Sequence, residues 1–383
     1  MELISVVVIA YNEAEVIKTT LDSIYAQTYP RLELIVSDDF SMDDTVQVVV
    51  DWMHRNAGRF ERAEVVSSPF NTGVSANVNR GIRAISGRYF ATVAGDDIWY
   101  PDKIKLEYEF LKSNGYDMVF SKIDILGKNE LAVKGLKNFC EEGYRSIEEG
   151  HEAQKKLILR HNIVAGPSWG VRTKESYDRM GGFDEAYPFL DDYPYLYRYI
   201  MNGGEIHLLD KVLAQYNLGD SNLSVSRNRL FEKSEIDFFY REKIYGLYKE
   251  KMYSDLSKQI PWDRQLKYAA LMHGILLKWM QLKTKGISFE GFLNNRGVNA
   301  VCIAGNKRAR EAVTREFNLI KVTDSQLETD EIFTGKNDLF DTDAYLICDL
   351  QVEEYETRIV LNNKPVYWLD RIIDEEFKKV RNA

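Results

Sequence analysis

Leu32-Glu33-Leu34-Ile35-Val36-Ser37-Asp38-Asp39 is an apolar run that ends in two acids, and Arg88-Tyr89-Phe90-Ala91-Thr92-Val93-Ala94-Gly95-Asp96-Asp97 repeats the pattern. Runs of this length, rich in Val, Ile and aromatic residues, predict buried parallel strands. Ligands of open α/β sheets bind beyond the carboxyl ends of such strands, which is where both acidic pairs fall. Adjacent carboxylates repel one another. A divalent cation that takes oxygen ligands, together with a phosphate-bearing ligand, would relieve that repulsion. The two stretches therefore predict a site for a metal and a diphosphate.

The neighbouring segments alternate in the same way. Ile4 to Ala10 predicts a strand, Ala14 to Gln27 a helix with Val16, Ile17, Leu21 and Ile24 on one face, and Leu32 to Val36 the next strand. Ser41 and Asp44 have capping-box spacing ahead of a helix from Thr45 to Ala57. A short strand at Glu64 to Ser68, a helix from Ser75 to Ala84 and a strand at Tyr89 to Ala94 complete the series. Strands separated by helices of this length predict parallel βαβ units and an α/β fold.

Composition narrows the function. The 383 residues exceed one core and predict more than one domain. A net charge of -9 opposes nucleic-acid binding, which needs a basic surface. The three cysteines, Cys140, Cys302 and Cys348, show no metal-ligand spacing and suit a reducing compartment. The start of the chain carries no basic n-region. The apolar stretch Ala269 to Leu277 is far short of the roughly 20 residues of a membrane span. A cytoplasmic protein with at most peripheral membrane association is expected. The five histidines lack ligand spacing, and neither a Gly-X-Ser-X-Gly elbow nor a phosphate-cradling Gly-rich loop is present. Zinc catalysis and serine hydrolysis are not expected.

Five segments carry a family resemblance. They are Val7-Val8-Ile9-Ala10-Tyr11-Asn12-Glu13, Ile35 to Thr45, Asn71 to Gly81, Gly95 to Lys103, and Gly181-Gly182-Phe183-Asp184-Glu185 with Leu190-Asp191-Asp192-Tyr193. In this order they resemble the family 2 inverting glycosyltransferases of GT-A fold, over roughly residues 1 to 220. The resemblance implies that Asp39 accepts from the uracil N3–H with Asp38 beside it, and that Ala10, Tyr11, Asn12 and Glu13 flank the nucleotide. A carboxylate suits a ring N–H donor; a helix cap is the plainer use of Asp38. By the same resemblance Asp97 ligates Mn²⁺ or Mg²⁺, and Asp96 touches the ribose or the metal's surroundings. Ala94 stands where relatives often have a further Asp.

Asp192 takes the place of the general base, with Asp191 where the family usually has Glu. A raised carboxylate pKa suits proton removal from an acceptor hydroxyl, and a like-charged neighbour with burial would raise it. Helix capping ahead of Pro194 is compatible with that role. Gly182, Phe183 and Asp184 belong to the expected acceptor-side loop. Trp169 would either stack on a sugar or fill the core. Asn79 and Arg80 are expected to face the nucleotide, Arg80 as a diphosphate contact.

Beyond residue 225 the pattern changes. Residues 226–285 predict an amphipathic helical linker, with Phe231, Ile236, Phe239, Tyr240 and Ile244 at helical spacing. Its tyrosines suit packing on the first domain or on another subunit, so a homo-oligomer contact is open. Residues 286–383 resemble a small Rossmann-like α/β unit. Its strands are expected at 298–304, 319–322, 343–349 and 366–369, and a helix at 308–317. One glycine follows its first strand where a dinucleotide fingerprint has three, which leaves a structural or oligomerising role. The whole reads as a metal-dependent inverting glycosyltransferase that uses a UDP-sugar and a glycan acceptor, lipid-linked or on a glycoprotein. A nucleotidyltransferase and a non-catalytic scaffold that binds nucleotide sugar or glycan are the alternatives.

Overall fold

The computed structural model describes residues 1–166, 169–218, 239, 274–275, 277–279, 281–282, 285–298, 301–304, 344–347, 360–361 and 364–382. The chain separates into two compact units, Met1–Val225 and Ser226–Ala383.

The first unit alternates strand and helix. Its elements are β1 (Ile4–Ala10), α1 (Ile17–Tyr25), β2 (Leu32–Asp38), α2 (Thr45–Asn56), β3 (Arg62–Ser67), α3 (Val74–Ala84), β4 (Tyr89–Ala94) and β5 (Ile98–Trp99). They continue with α4 (Lys103–Asn114), β6 (Met118–Gly127), α5 (Glu130–Glu148), α6 (His151–Ile158), β7 (Trp169–Thr173), α7 (Lys174–Arg179), α8 (Asp192–Met201) and β8 (His207–Leu218). The strands form one sheet in the order β3-β2-β1-β4-β7-β6-β8-β5. It is mostly parallel, as the alternation predicts, with antiparallel pairing of β4 to β7, of β7 to β6 and of β5 to β8.

Every residue of β2 is buried, and all of β1 but Ile9. Both faces are covered, the normal state of a parallel sheet. Val6, Val8, Leu34 and Val36 pack with Leu21, Ile24 and Trp52 of α1 and α2 in the main core. The parallel register sets Ala10 beside Asp38 and Ile9 beside Ala94. The carboxyl ends of β1, β2 and β4 therefore lie side by side, and both acidic pairs of the sequence arrive at one edge.

Three local expectations change. Helix α1 starts at Ile17 rather than Ala14, because the Val16 and Ile17 amides both turn back to the Glu13 carbonyl. The Ser41–Asp44 capping box does not form. Ser41 Oγ donates instead to Asp38 Oδ1 at 2.5 Å, and Asp44 makes no side-chain cap. The two-residue β5 is an addition; it is too short to carry a periodicity.

In the second unit the strands are β9 (Val301–Ala304), β10 (Ala344–Ile347), β11 (Val360–Leu361) and β12 (Lys364–Trp368), in the order β11-β12-β10-β9. β9, β10 and β12 are parallel, and a helix follows at Leu369–Asn382. The expected strand at 319–322, the expected helix at 308–317 and most of the expected linker lie outside the described residues. Phe239, Ile275, Trp279 and Leu282, described within that linker, are helical and buried. Among the described residues no helix is long and apolar enough to cross a membrane.

Candidate active site

Asp38 and Asp39 close β2, and the surrounding loops satisfy both. Asp38 accepts from the amides of Phe40 and Ser41 and from the Ser41 hydroxyl. It makes a local turn and does not cap α2. Asp39 accepts the Thr72 amide through both oxygens, the Thr72 hydroxyl, the Gly73 amide at 2.7 Å and Arg80 Nη2 at 3.2 Å. A carboxylate offers about four acceptor positions. A base N–H arriving at Asp39 must displace one of these donors. Arg80 also reaches Thr72 Oγ1, Asn77 Oδ1 and the Asp38 carbonyl. The guanidinium expected on a diphosphate thus braces the β2 and β3 loops here.

Asn77, which the sequence did not single out, is the α3 amide that faces the strand ends. It accepts from Ser37 Oγ at 2.7 Å and donates to the Ala10 carbonyl. Asn79, expected to face the nucleotide, points to the other side of α3. Its amide holds the Phe183 amide and carbonyl and Glu185, so it fixes the expected acceptor-side loop instead. The reason is helical phase: Asn77 and Arg80, three apart, share a face that Asn79 cannot.

Two non-glycine residues with positive φ flank this edge, Asn12 at 56° and Phe40 at 69°. Such geometry is rare, above all for an aromatic residue. Asn12 is compensated: its Oδ1 accepts the Met42 amide and its own amide donates to Ser41 Oγ. Tyr11 and Phe40 remain 42% and 41% exposed, aromatic surfaces suited to a planar base. Phe40 carried no sequence signal, because its strain is a property of the fold.

The turn after β4 holds Asp96 and Asp97. Asn217 of β8 donates to the Asp96 carbonyl at 2.9 Å, and Thr20 donates to the Gly95 carbonyl at 2.7 Å. Asp97 is buried, and among the described residues its Oδ1 has no hydrogen-bond partner. Glu13 Oε2 is equally unpaired and presses on Gly95, where an added Cβ would meet it at 1.9 Å. Burial, then the charge of Asp96, pushes both Glu13 and Asp97 well above the usual carboxylate range. Unpaired buried carboxylate oxygens in mutual repulsion fit a hard cation. No three His, Cys, Asp or Glu side chains converge on one point among the described residues. A cation at Asp97 and Asp96 would have to complete its shell with ligand or water oxygens.

The second pair opens α8. The chain that leads to it rests on the start of α3, where Ser75 Oγ donates to the Tyr187 carbonyl at 2.6 Å. Asp191 makes no side-chain cap, so capping does not account for the pair. Asp192 Oδ2 accepts from Asn162 Nδ2 at 2.7 Å, and its Oδ1 from the Tyr193 amide. Both acids are half-buried. Burial first, then the charge of Asp191, pushes Asp192 up to about 7. Asn162 was missed by the sequence reading, which has no way to pair a loop amide with an acid thirty residues on.

In the expected acceptor-side loop Gly181 and Gly182 both adopt positive φ. Asp184 accepts the Ala186 amide at 3.1 Å and faces Arg198 at 3.7 Å. Trp169 and Phe183 are each 4% exposed and pack on one another and on Tyr195, so both fill the core and neither offers a face to a sugar. A polar hollow of about 430 Å³, lined by Tyr116, Asp117, Arg179 and His207, lies at the amino ends of β6 and β8, opposite the carboxylates.

Residues 5–176 match the model of glycosyl transferase family 2. An uncharacterised glycosyltransferase of Haemophilus influenzae is 27% identical over 50% of this chain and 58% of its own length. Two Escherichia coli relatives, WfgD and WfaP, are each named UDP-Glc:alpha-D-GlcNAc-diphosphoundecaprenol beta-1,3-glucosyltransferase. WfgD is 26% identical over 34% of this chain and 50% of its own length. WfaP is 31% identical over 30% and 43%. The chain thus spans about half the length of these relatives. Among solved structures, S. aureus TarS 1-349 in complex with UDP-GlcNAc aligns over 71% of this chain and 72% of its own, with 18% identity and a TM-score of 0.48. The mannosyltransferase PcManGT from Pyrobaculum calidifontis in complex with GDP-Man and Mn²⁺ aligns over 71% and 74%, with 20% identity and a TM-score of 0.47. The α/β sheet, the acids at its carboxyl edge and the family match agree: the chain carries a family 2 glycosyltransferase domain.

Proposed function

We propose that the protein is an inverting, metal-dependent glycosyltransferase that moves a sugar from a UDP-sugar to a hydroxyl of a glycan acceptor. The observation that carries this reading is the Asp191–Asp192 pair, half-buried at the start of α8, with Asp192 pushed up to about 7. A base of that strength is matched to proton removal near neutral pH. Asp192 takes the acceptor hydroxyl proton as the oxygen bonds to the donor C1. The bond from C1 to the diphosphate breaks on the opposite face, and the UDP leaves with the electron pair. Asn162 fixes the orientation of the carboxylate through Oδ2, leaving Oδ1 shared with the Tyr193 amide.

Asp97 and Asp96 are the residues that would hold a divalent cation, which when bound neutralises the charge of the departing diphosphate. Tyr11 and Phe40 would border the base, and Asp39 would receive its N–H after release from Thr72. The activities for which WfgD and WfaP are named favour a UDP-sugar donor and an acceptor linked through diphosphate to a lipid over a glycoprotein. The first unit, Met1–Val225, is the proposed catalytic domain; 226–285 is the proposed linker and 286–383 a structural or oligomerising unit.

A donor screen tests the reading. The protein with Mn²⁺ is offered UDP-glucose, UDP-galactose, UDP-N-acetylglucosamine, UDP-N-acetylgalactosamine and GDP-mannose, and nucleoside diphosphate release is followed. Release from one UDP-sugar, lost with EDTA and in Asp97→Ala, supports it. No release from any donor, with no UDP binding by calorimetry, refutes it.

A further inference from the structure

The end of β6 and the start of α5 carry an apolar and basic surface that the catalytic reading does not use. Leu131 is 83% exposed and Leu126 52%. Lys128, Lys134 and Lys137 stand exposed around them, and no described residue pairs with any of the three. Lysines elsewhere in the unit hold acids: Lys122 faces Asp210 at 2.6 Å, and Lys155 faces Glu152 at 3.1 Å. Glu130 is the only acid between residues 125 and 140, in a chain of net charge -9. A single exposed leucine is ordinary. Two of them framed by three unpaired lysines on an acidic chain form a surface with a sign and a polarity of its own.

The fold holds this surface in place beside the proposed site. The Asn129 side chain caps α5 by accepting the Ala132 amide at 3.1 Å. Gly127 closes the turn before it: an added Cβ would meet Leu218 Cβ at 2.8 Å and Val133 Cγ2 at 3.2 Å. Val133 and Leu136 are half-buried and Cys140 is buried, which marks the inner face of α5. Leu131 and Lys134, three apart, share the outer one. Strand β7 runs antiparallel to both β4 and β6, so β6 ends at the edge that carries the acids. Leu126 lies opposite Asn217 of β8, and Asn217 donates to the Asp96 carbonyl at 2.9 Å. The surface therefore begins one strand away from the turn proposed to hold the cation.

We propose that Leu126, Lys128, Leu131, Lys134 and Lys137 form a docking surface for an anionic lipid bilayer, and that docking sets the carboxyl edge of the sheet against the membrane. The leucines enter the boundary between headgroups and acyl chains, and the lysines pair with anionic headgroups. The charge of the whole chain opposes any other approach, so the basic surface also fixes the orientation. A second copy of the chain is a poorer occupant, because a two-fold contact would set these lysines against their own copies. The inference rests on the reading of the acceptor as lipid-linked, which places the acceptor's diphosphate at a membrane surface. Docking there would bring it to the edge that holds Asp97 and Asp192.

Co-sedimentation of the full chain with vesicles tests the surface without donor or acceptor. One set of vesicles is phosphatidylcholine mixed with phosphatidylglycerol, the other phosphatidylcholine alone. The protein should bind the mixed vesicles, bind the neutral ones far less, and lose the difference as salt screens the lysines. Lys134→Gln should lower the partition constant about fivefold, and Leu131→Ser about tenfold. Val212→Ser is the control. Val212 is 43% exposed but sits within β8, opposite Lys122 and away from the carboxyl edge, and its loss should change nothing. Failure to bind the mixed vesicles, equal binding to both sets, or an equal loss in the Val212 and Leu131 variants overturns the proposal. So does a dimer in sedimentation velocity that Leu131→Ser dissolves, which would give the surface to a second copy. Vesicle binding through these residues in a protein that transfers no sugar refutes the transferase reading and leaves the docking surface standing. Transfer by a protein that ignores the vesicles does the reverse.

Discussion

Lowering the pH from 8 to 6 should slow transfer about tenfold, because the proposed base gains a proton in that window. Asp192 is pushed up to about 7 by burial and by the charge of Asp191. About nine-tenths of it is then ionised at pH 8 and about a tenth at pH 6, and only the ionised form removes the acceptor proton. Asp191→Asn separates the two causes. It leaves the burial and the Asn162 hydrogen bond in place and deletes the like charge. The acid limb must then move to lower pH, and the ratio of rates at pH 8 and pH 6 must shrink. Asp192→Asn should lose about 10² to 10⁴ in rate at every pH, the usual share of a general base. The assay is the initial rate of nucleoside diphosphate release with acceptor below saturation, so that the limb reports the free enzyme. A limb that Asp191→Asn leaves in place, or a rate that is flat between pH 6 and 8, would refute the reasoning.

Three further perturbations address other parts of the site. Asp97→Ala removes the buried Oδ1 that has no partner among the described residues, so Mn²⁺ should cease to strengthen UDP binding by calorimetry; wild-type binding indifferent to EDTA would contradict this. Glu13 is raised by burial and by the charges of Asp96, Asp97, Asp43 and Asp38, so its stabilising contribution is complete below the unfolded pKa and lost as the pH rises through the folded one. Glu13→Gln should therefore melt above the wild type at pH 8 and lose that advantage at pH 4, and thermal scans showing no such crossover would remove the repulsion argument. Gly143→Ala places a Cβ 1.8 Å from the backbone oxygen of Ile163, next to the Asn162 that holds Asp192. It should cost about 1–3 kcal/mol of stability and lower kcat, whereas Gly135→Ala, with nothing within 4 Å, should be neutral or stabilising and serves as the control.

Strand identity was legible because burial on both faces leaves little choice of residue: β1 and β4 run as expected, and β2 continues from the expected run through Asp38. The placement of the acids was legible because residues that follow such runs fall at the carboxyl edge of the sheet. What failed was local chemistry with a distant partner. Ser41 and Asp44 have the spacing of a capping box, but Ser41 is claimed by Asp38 and by the Asn12 amide. Asn79 was assigned to the wrong side of α3, since a helix drawn from periodicity has no defined phase against the sheet. Glu33 shows the converse. It stands inside an apolar run and is fully buried, yet the Ser5 and Ser86 hydroxyls, the Ser86 amide and Arg62 satisfy it. Those bonds hold it below the usual range against the rise that burial causes. An acid in a strand is thus no sign of function until its partners are counted.

Counting partners sorts the acids of the site into three kinds, one for each of the three proposed tasks. Asp38 and Asp39 are satisfied by donors from the β2 and β3 loops and from Arg80, so recognition of a base there must exchange one hydrogen bond for another. Such an exchange is nearly neutral in free energy and favours selectivity over tight binding. Asp97 and Glu13 each keep a buried oxygen unpaired among the described residues, a standing cost that a cation or a proton removes. Asp191 and Asp192 differ from both. Both are raised by burial, Asp192 also by the charge of Asp191, and the hydrogen bond from Asn162 tempers the rise of Asp192. A carboxylate with four donors would be too weak a base for an alcohol proton, and one with none would already be protonated at neutral pH. Asp192 lies between these limits, which is where an acid must lie to exchange a proton at the moment of transfer.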